Sequence, residues 1–230
     1  ASFALLDLKL TGWDPSPDCA VYSLAPAQDR IYVGGCFEQI DAVPRRHIAR
    51  LDAITGAADD WDPDPDRPVT AVAVWAGPVY IGGAFSTVGG VLTGTLAVVD
   101  PVSGASVGQP IQASGLANAM AISGRHLFVG GPTLGLGGVP RRNLAAMDLS
   151  TGRPTDWNPG TDGEVFRLLL QDSILYVGGD FTQVAGEPRA YLAALDLAFQ
   201  ELTPWDPSPD GAVYALAQAG PWVVAGGDFQ

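Results

Sequence analysis

The string Trp61-Asp62-Pro63-Asp64-Pro65-Asp66-Arg67-Pro68 sets carboxylates at alternate positions. Closely spaced carboxylate oxygens are the hard ligands that Ca²⁺ takes. Asp62, Asp64 and Asp66 are therefore the candidate metal ligands, and Ca²⁺ the candidate ion. No Asp-x-Asp-x-Asp-Gly string of the EF-hand type occurs, and the intervening prolines stiffen the loop. A second set is Arg45, Arg141 and Arg189 with Asp18, Asp66, Asp162 and Asp210. These opposite charges are expected on one face of the fold as ion pairs and turn caps, each worth about 0–1 kcal/mol where exposed. Cys19 and Cys36 flank one predicted hairpin. They lie nearly opposite each other, so either a disulfide or two buried thiols fits. His47 and His126 occupy non-equivalent positions on predicted strands c and b and are expected to be structural. No G-x-S-x-G, H-E-x-x-H or P-loop string is present, so no catalytic residue is assigned.

These residues belong to a repeat. Trp13, Trp61, Trp157 and Trp205 share one phase of a 48-residue period, and Gln109 fills the remaining slot. The pairs Gly34-Gly35, Gly82-Gly83, Gly130-Gly131, Gly178-Gly179 and Gly226-Gly227 keep the same step, as do Asp52, Asp100, Asp148 and Asp196. A period in the forties points to a solenoid or a propeller. Helical periodicity is absent, and Gly-Gly interrupts every unit. Four short strands per unit fit a propeller blade. In the first unit, strand a is predicted near 21–26, b near 30–35, c near 47–53, and a short d ending around Trp61. The Val21, Val69, Val165 and Val213 set and the Tyr32, Tyr80, Phe128 and Tyr176 set read as core. In the c–d turns, Asp accepts from the backbone ahead and Gly supplies positive φ.

The fold class expected is all-β: a five-bladed β-propeller with four antiparallel strands per blade. The blades are 13–60, 61–108, 109–156, 157–204, and 205–230 combined with 1–12. Phe3-Ala4-Leu5-Leu6-Asp7 matches Leu192-Ala193-Ala194-Leu195-Asp196, so the N-terminal strands are expected to close the last blade and remove open edges. The alternative is a piece of a longer array.

Composition narrows the partners. The chain is 47% hydrophobic and 16% charged, with a formal net charge of −13. Such a surface repels phosphate backbones and anionic lipid, which argues against nucleic acid and membrane surfaces. No run reaches the roughly 18 apolar residues of a spanning helix.

Tyr32-Val33-Gly34-Gly35, followed by Ala49-Arg50-Leu51-Asp52-Ala53-Ile54-Thr55-Gly56 and then a Trp, resembles the kelch motif. The whole unit is similar to the delta-sixty-type repeats of large bacterial surface proteins and to fungal cortical polarity-marker propellers. The resemblance implies a non-catalytic interaction or adhesion module, extracellular, cell-surface or periplasmic, with a protein or glycan partner and no cofactor. A lectin-like propeller binding glycan or Ca²⁺ is the second reading. A quinoprotein-type enzyme is the third, because its blades carry a similar Asp-x-x-Thr-Gly turn before a Trp. The third unit departs from the pattern: Gln109-Pro110 replaces Trp-Asp, and Pro132-Thr133 replaces the pair ending in Phe.

Overall fold

Two short apolar strands joined by a turn that needs one left-handed residue make the unit's hairpin. Gln28, Ala76, Gly124, Asp172 and Gly220 fill that turn position in the five units, with φ between 51° and 59°. The computed structural model describes residues 12–132 and 135–230. All of the regular elements among them are β-strands.

In the first unit, strand a is Val21–Ala27, b is Arg30–Gly35 and c is Ile48–Asp52, antiparallel in that order. The second unit repeats this with Val69–Val74, Val79–Gly83 and Leu96–Val99. The third uses Ala119–Ser123, His126–Gly130 and Leu144–Asp148. The fourth uses Glu164–Gln171, Ile174–Asp180 and Leu192–Asp196. Strand d is a full ladder member only in the third and fourth units, as Arg153–Pro154 and Glu201–Leu202. In the first two it shrinks to single bridges, Leu51 to Ala58 and Val99 to Ser106. Among the described residues, the expected four strands per unit are therefore met in the third and fourth units. His47 precedes strand c rather than lying in it, with φ 64°.

The fifth sheet has two described strands, Val213–Ala219 and Trp222–Gly227. The expected pairing of residues 3–7 with this sheet lies outside the described residues.

A further element was not anticipated. Each b–c connection is itself a hairpin, for example Gln39–Ile40 with Val43–Pro44 and Thr87–Val88 with Val91–Leu92. Its two-residue turns, Asp41-Ala42, Gly89-Gly90, Gly137-Gly138 and Ala185-Gly186, hold both central residues at positive φ. Such primed turns match the twist of short hairpins. The incoming d–a segment docks on this hairpin through Pro65–Val88 and Thr161–Val184 bridges. In the third unit the same docking is a short ladder, Ala113–Ser114 on Gly135–Leu136.

The core lies between sheets. A Cβ on the first glycine of three of the pairs would meet strand a of the next unit, and on Gly82 it would meet Ala117 just ahead of that strand. From Gly34 it would sit 2.8 Å from Val69 Cγ1, from Gly130 2.4 Å from Val165 Cγ1, and from Gly178 2.8 Å from Val213 Cγ1. Each valine thus plugs into bare backbone, which only glycine permits. The second glycine faces a backbone carbonyl beside its own strand a: Gly83 faces Pro68 O and Gly179 faces Glu164 O. Inner-strand residues of four successive units, including Ser23, Thr70, Asn118 and Arg167, line one central cavity of about 200 Å³. Consecutive sheets therefore turn their a strands toward a shared axis, as blades do.

Candidate functional site

The repeated charges bind the chain's own backbone. Asp66 Oδ1 accepts from Ser86 N–H (2.7 Å) and Thr87 N–H (2.9 Å). Asp162 Oδ1 does so from Thr182 and Gln183 at 2.7 and 2.8 Å, and Asp18 Oδ1 from Glu38 and Gln39 at 2.9 and 3.2 Å. Asp210 accepts from Gln230 N–H at 2.9 Å. Ser114 takes the same place in the third unit, with its Oγ accepting from Gly135 N–H at 3.1 Å. This position fastens the d–a segment to the b–c hairpin. Burial pushes the Asp66 and Asp162 carboxyls up, but the backbone N–H groups, joined at Asp162 by the Thr182 hydroxyl, outweigh it and leave both below the ordinary range.

The arginines do the complementary task. Arg45 donates to Asp59 O (Nε 3.1 Å, Nη2 2.5 Å), Arg141 to Thr155 O at 2.6 Å, and Arg189 to Thr203 O at 3.1 Å. Each ties the hairpin to the end of the c–d turn. The carboxylates nearest these arginines are other acids of the same loops. Arg45 lies 3.9 Å from both Asp60 and Asp62, Arg46 lies 3.8 Å from Asp64, and Arg189 lies 3.9 Å from Asp206. Asp18, Asp66, Asp162 and Asp210 take backbone N–H groups instead. The candidate Ca²⁺ ligands do not converge either, because Asp62 and Asp64 face guanidinium groups while Asp66 faces amides. Among the described residues no cluster of three His, Cys, Asp or Glu is arranged to hold a metal.

Cys19 and Cys36 are joined by a disulfide with a Cα–Cα distance of 5.5 Å. Such bonds persist in oxidising compartments outside the cytoplasm. The backbone N–H of His47 donates to Phe37 O at 2.7 Å, and burial lowers the ring's pKa. The residue sits in the connection entering strand c, and its buried Nδ1 has no hydrogen-bond partner among the described residues.

Tryptophan closes the regular gap between units. The rings of Trp61, Trp157 and Trp205 meet Tyr32, Phe128 and Tyr176 of the preceding unit edge to face, at 5.1, 5.0 and 5.2 Å between centroids. Such pairs add about 0.5–1.5 kcal/mol beyond burial. Trp13 and Trp61 also donate Nε1–H to Asp52 O (3.3 Å) and Asp100 O (2.9 Å) in the following c–d turn. That turn needs glycine beside the indole: a Cβ on Gly56 would lie 3.2 Å from Trp13 Cδ1.

Two departures from this scheme flank the third unit. In the fourth unit, Gln200 stands where Gly56, Gly104 and Gly152 stand elsewhere, and it keeps the positive φ (59°). Trp157, only 8% exposed, has no hydrogen-bond partner for Nε1. Beside it opens a cleft of about 560 Å³ whose lining includes His126, Phe128, Trp157, Asp156, Asp172 and Gln200. On the other flank Gln109 replaces tryptophan, and a cleft of about 520 Å³ opens over Tyr80. The sequence marked the third unit as irregular through Gln109. It did not mark Gln200, although the loss of glycine from Asp196-Leu197-Ala198-Phe199-Gln200 is legible once the turn is aligned.

A last polar group lies in the central cavity. Arg167 occupies an inner-strand position filled by Ser23, Ala71, Ala119 and Ala215 elsewhere. Burial lowers its pKa, and its Nη1 donates to Phe166 O at 2.7 Å.

The family described as "Domain of unknown function (DUF5122) beta-propeller" matches residues 29–60, from the start of strand b to the end of the first unit. No curated protein matches the chain. A chain in the crystal structure of the mitotic checkpoint complex is similar at 14% identity and a TM-score of 0.61, covering 89% of this chain and 57% of that one. The computationally designed Ika8 and Ika4 proteins superpose with TM-scores of 0.49 and 0.47, at 15% and 17% identity and with 94% and 79% of this chain covered. They cover 83% of the Ika8 chain and 94% of the Ika4 chain. Together with the all-β architecture, the family match and the first of these structures agree with a β-propeller fold.

Proposed function

We propose that this chain is a non-catalytic binding module: a five-unit, kelch-like propeller, closed by its N-terminal residues, that works outside the cytoplasm and takes its partner in the clefts beside the third unit. One observation carries the reading. The clefts open where the repeat is broken, at Gln109 and Gln200, while the repeated charged residues hold hairpins and turns together. The disulfide between Cys19 and Cys36 supports the compartment.

The cleft between the third and fourth units suits a glycan. It combines aromatic edges from Phe128 and Trp157 with the carboxylates of Asp156 and Asp172 and the Gln200 amide. Apolar walls with a few polar groups that fix orientation are the general form of a small-ligand site. Probing an array of immobilised oligosaccharides with the wild-type protein and with Asp172→Asn, which keeps the left-handed turn residue, tests this. Wild type is expected to bind a restricted set, and Asp172→Asn to lose it with an unchanged melting temperature. Binding that survives the substitution, or chemical turnover of the bound sugar, would sink the reading.

A further inference from the structure

The chain contains its own template for what the second cleft accepts. At residue 61 an indole stands across Tyr32 of the preceding unit and donates Nε1–H to Asp100 O. At residue 13 an indole makes the same bond to Asp52 O. Both acceptor carbonyls also take the N–H of the turn glycine, Gly56 at 2.9 Å and Gly104 at 3.0 Å. The third unit keeps every part of this socket except the indole. Tyr80 is the aromatic of the preceding unit and lines the cleft. Asp148 O accepts from Gly152 N–H at 2.8 Å, so the c–d turn has the same form. Residue 109, however, is glutamine, with no ring to offer.

The space confirms that the socket is open. A Cβ on Gly56 would press against the Trp13 ring at 3.2–3.4 Å, whereas a Cβ on Gly152 would meet nothing within 4 Å. Met147 stands where the first two units have Leu51 and Val99 and fills part of the floor. About 520 Å³ nevertheless remains between Tyr80, Val107, Gln109, Leu149 and Gly152.

We infer that this cleft is an indole socket, and that its occupant is the tryptophan side chain of an extended segment of a partner polypeptide. The indole is assigned by the filled copies: Trp61 packs edge to face against Tyr32 with its N–H on Asp100 O, and Trp13 sets its N–H on Asp52 O with Gly56 at the ring wall. The polypeptide source is assigned by the way those copies are filled. Each of these indoles is carried by a Trp-Asp-Pro segment, and the Asp62–Pro63 backbone of the second lies 3.3 Å from where a Cβ on Gly104 would stand. The inference does not depend on the glycan reading, which concerns the other flank of the third unit.

The test is calorimetric titration of the whole protein with the capped peptide acetyl-Trp-Asp-Pro-amide. Its N1-methylindole analogue, free tryptophan and the variant Gln109→Trp complete the experiment. The peptide is expected to bind saturably at one site. Methylation of the indole nitrogen should weaken it about five- to tenfold, the worth of one net hydrogen bond. Gln109→Trp, which fills the socket from within, should abolish binding and melt higher than wild type. Should that variant fail to fold, the methylated peptide still decides the hydrogen-bond assignment. No saturable binding to wild type, equal binding of the methylated peptide, or binding that persists in folded Gln109→Trp would each overturn the socket. Free tryptophan binding as tightly as the peptide would overturn the polypeptide source.

Discussion

Individual polar side chains in this protein serve mostly as backbone caps, and that has measurable consequences. The Asp66 and Asp162 carboxyls lie below their ordinary pKa in the folded state because N–H donors outweigh burial. A carboxyl with a depressed folded pKa contributes stability above its unfolded pKa and loses it as pH falls through the folded one. Melting temperature is therefore expected to fall on acidification below the ordinary Asp range, and Asp66→Asn with Asp162→Asn should flatten that limb. Melts across acid pH check this; an unchanged slope would contradict the capping role. The Cys19–Cys36 bond closes a loop with a sequence separation of 17. In the loop-entropy account it is worth about 3 kcal/mol. Reductant, or Cys19→Ser with Cys36→Ser, should lower the denaturant midpoint accordingly. A chelator is expected to leave the melt unchanged, since Asp62 and Asp64 face Arg45 and Arg46 rather than a shared ion position.

At the scale of strands and turns, the glycine pairs explain how the units meet. Gly130→Ala would place a methyl 2.4 Å from the stiff Val165 side chain. It should cost about 1–3 kcal/mol, the usual range for overpacking. Gly12→Ala meets nothing within 4 Å and should be nearly neutral. Equal costs in denaturant titrations would refute the plug. Much of this level was legible beforehand. The a–b hairpin, the Gly-Gly position and the Asp-capped turns follow from period and turn chemistry, and Val21–Ala27 and Arg30–Gly35 fall where expected. The b–c hairpins were not, because two-residue strands carry no alternation to read, although Gly89-Gly90 and Gly137-Gly138 were primed-turn signals. The arginine partners were missed for a different reason. Charge pairing suggested carboxylates, whereas the guanidinium groups of Arg45, Arg141 and Arg189 reach carbonyls that only the fold brings within range.

At the scale of the molecule, successive sheets share clusters rather than keeping cores of their own. Tyr32, Ile48, Trp61, Val69 and Val99 form one cluster across the first two units, and Phe128, Leu144, Trp157, Val165 and Leu195 another across the third and fourth. Val21, 39% exposed where Val69, Val165 and Val213 are 0%, is the one plug of this valine set without a described socket. Gly226 is the complementary socket without a described plug. The two do not touch in the structure, and the five-unit proposal requires them to meet. The claim on which the functional account turns is that binding belongs to the broken interfaces and not to the regular ones. Trp61 and Trp157 report on one interface of each kind. Fluorine NMR of the fluorotryptophan-labelled protein, screened against a library of sugar and indole fragments, is the most direct measurement. The account predicts that sugar hits move the Trp157 resonance, on the wall of the open cleft, and leave Trp61, enclosed in a regular interface, where it is. Hits that shift Trp61 while Trp157 stays fixed would contradict it.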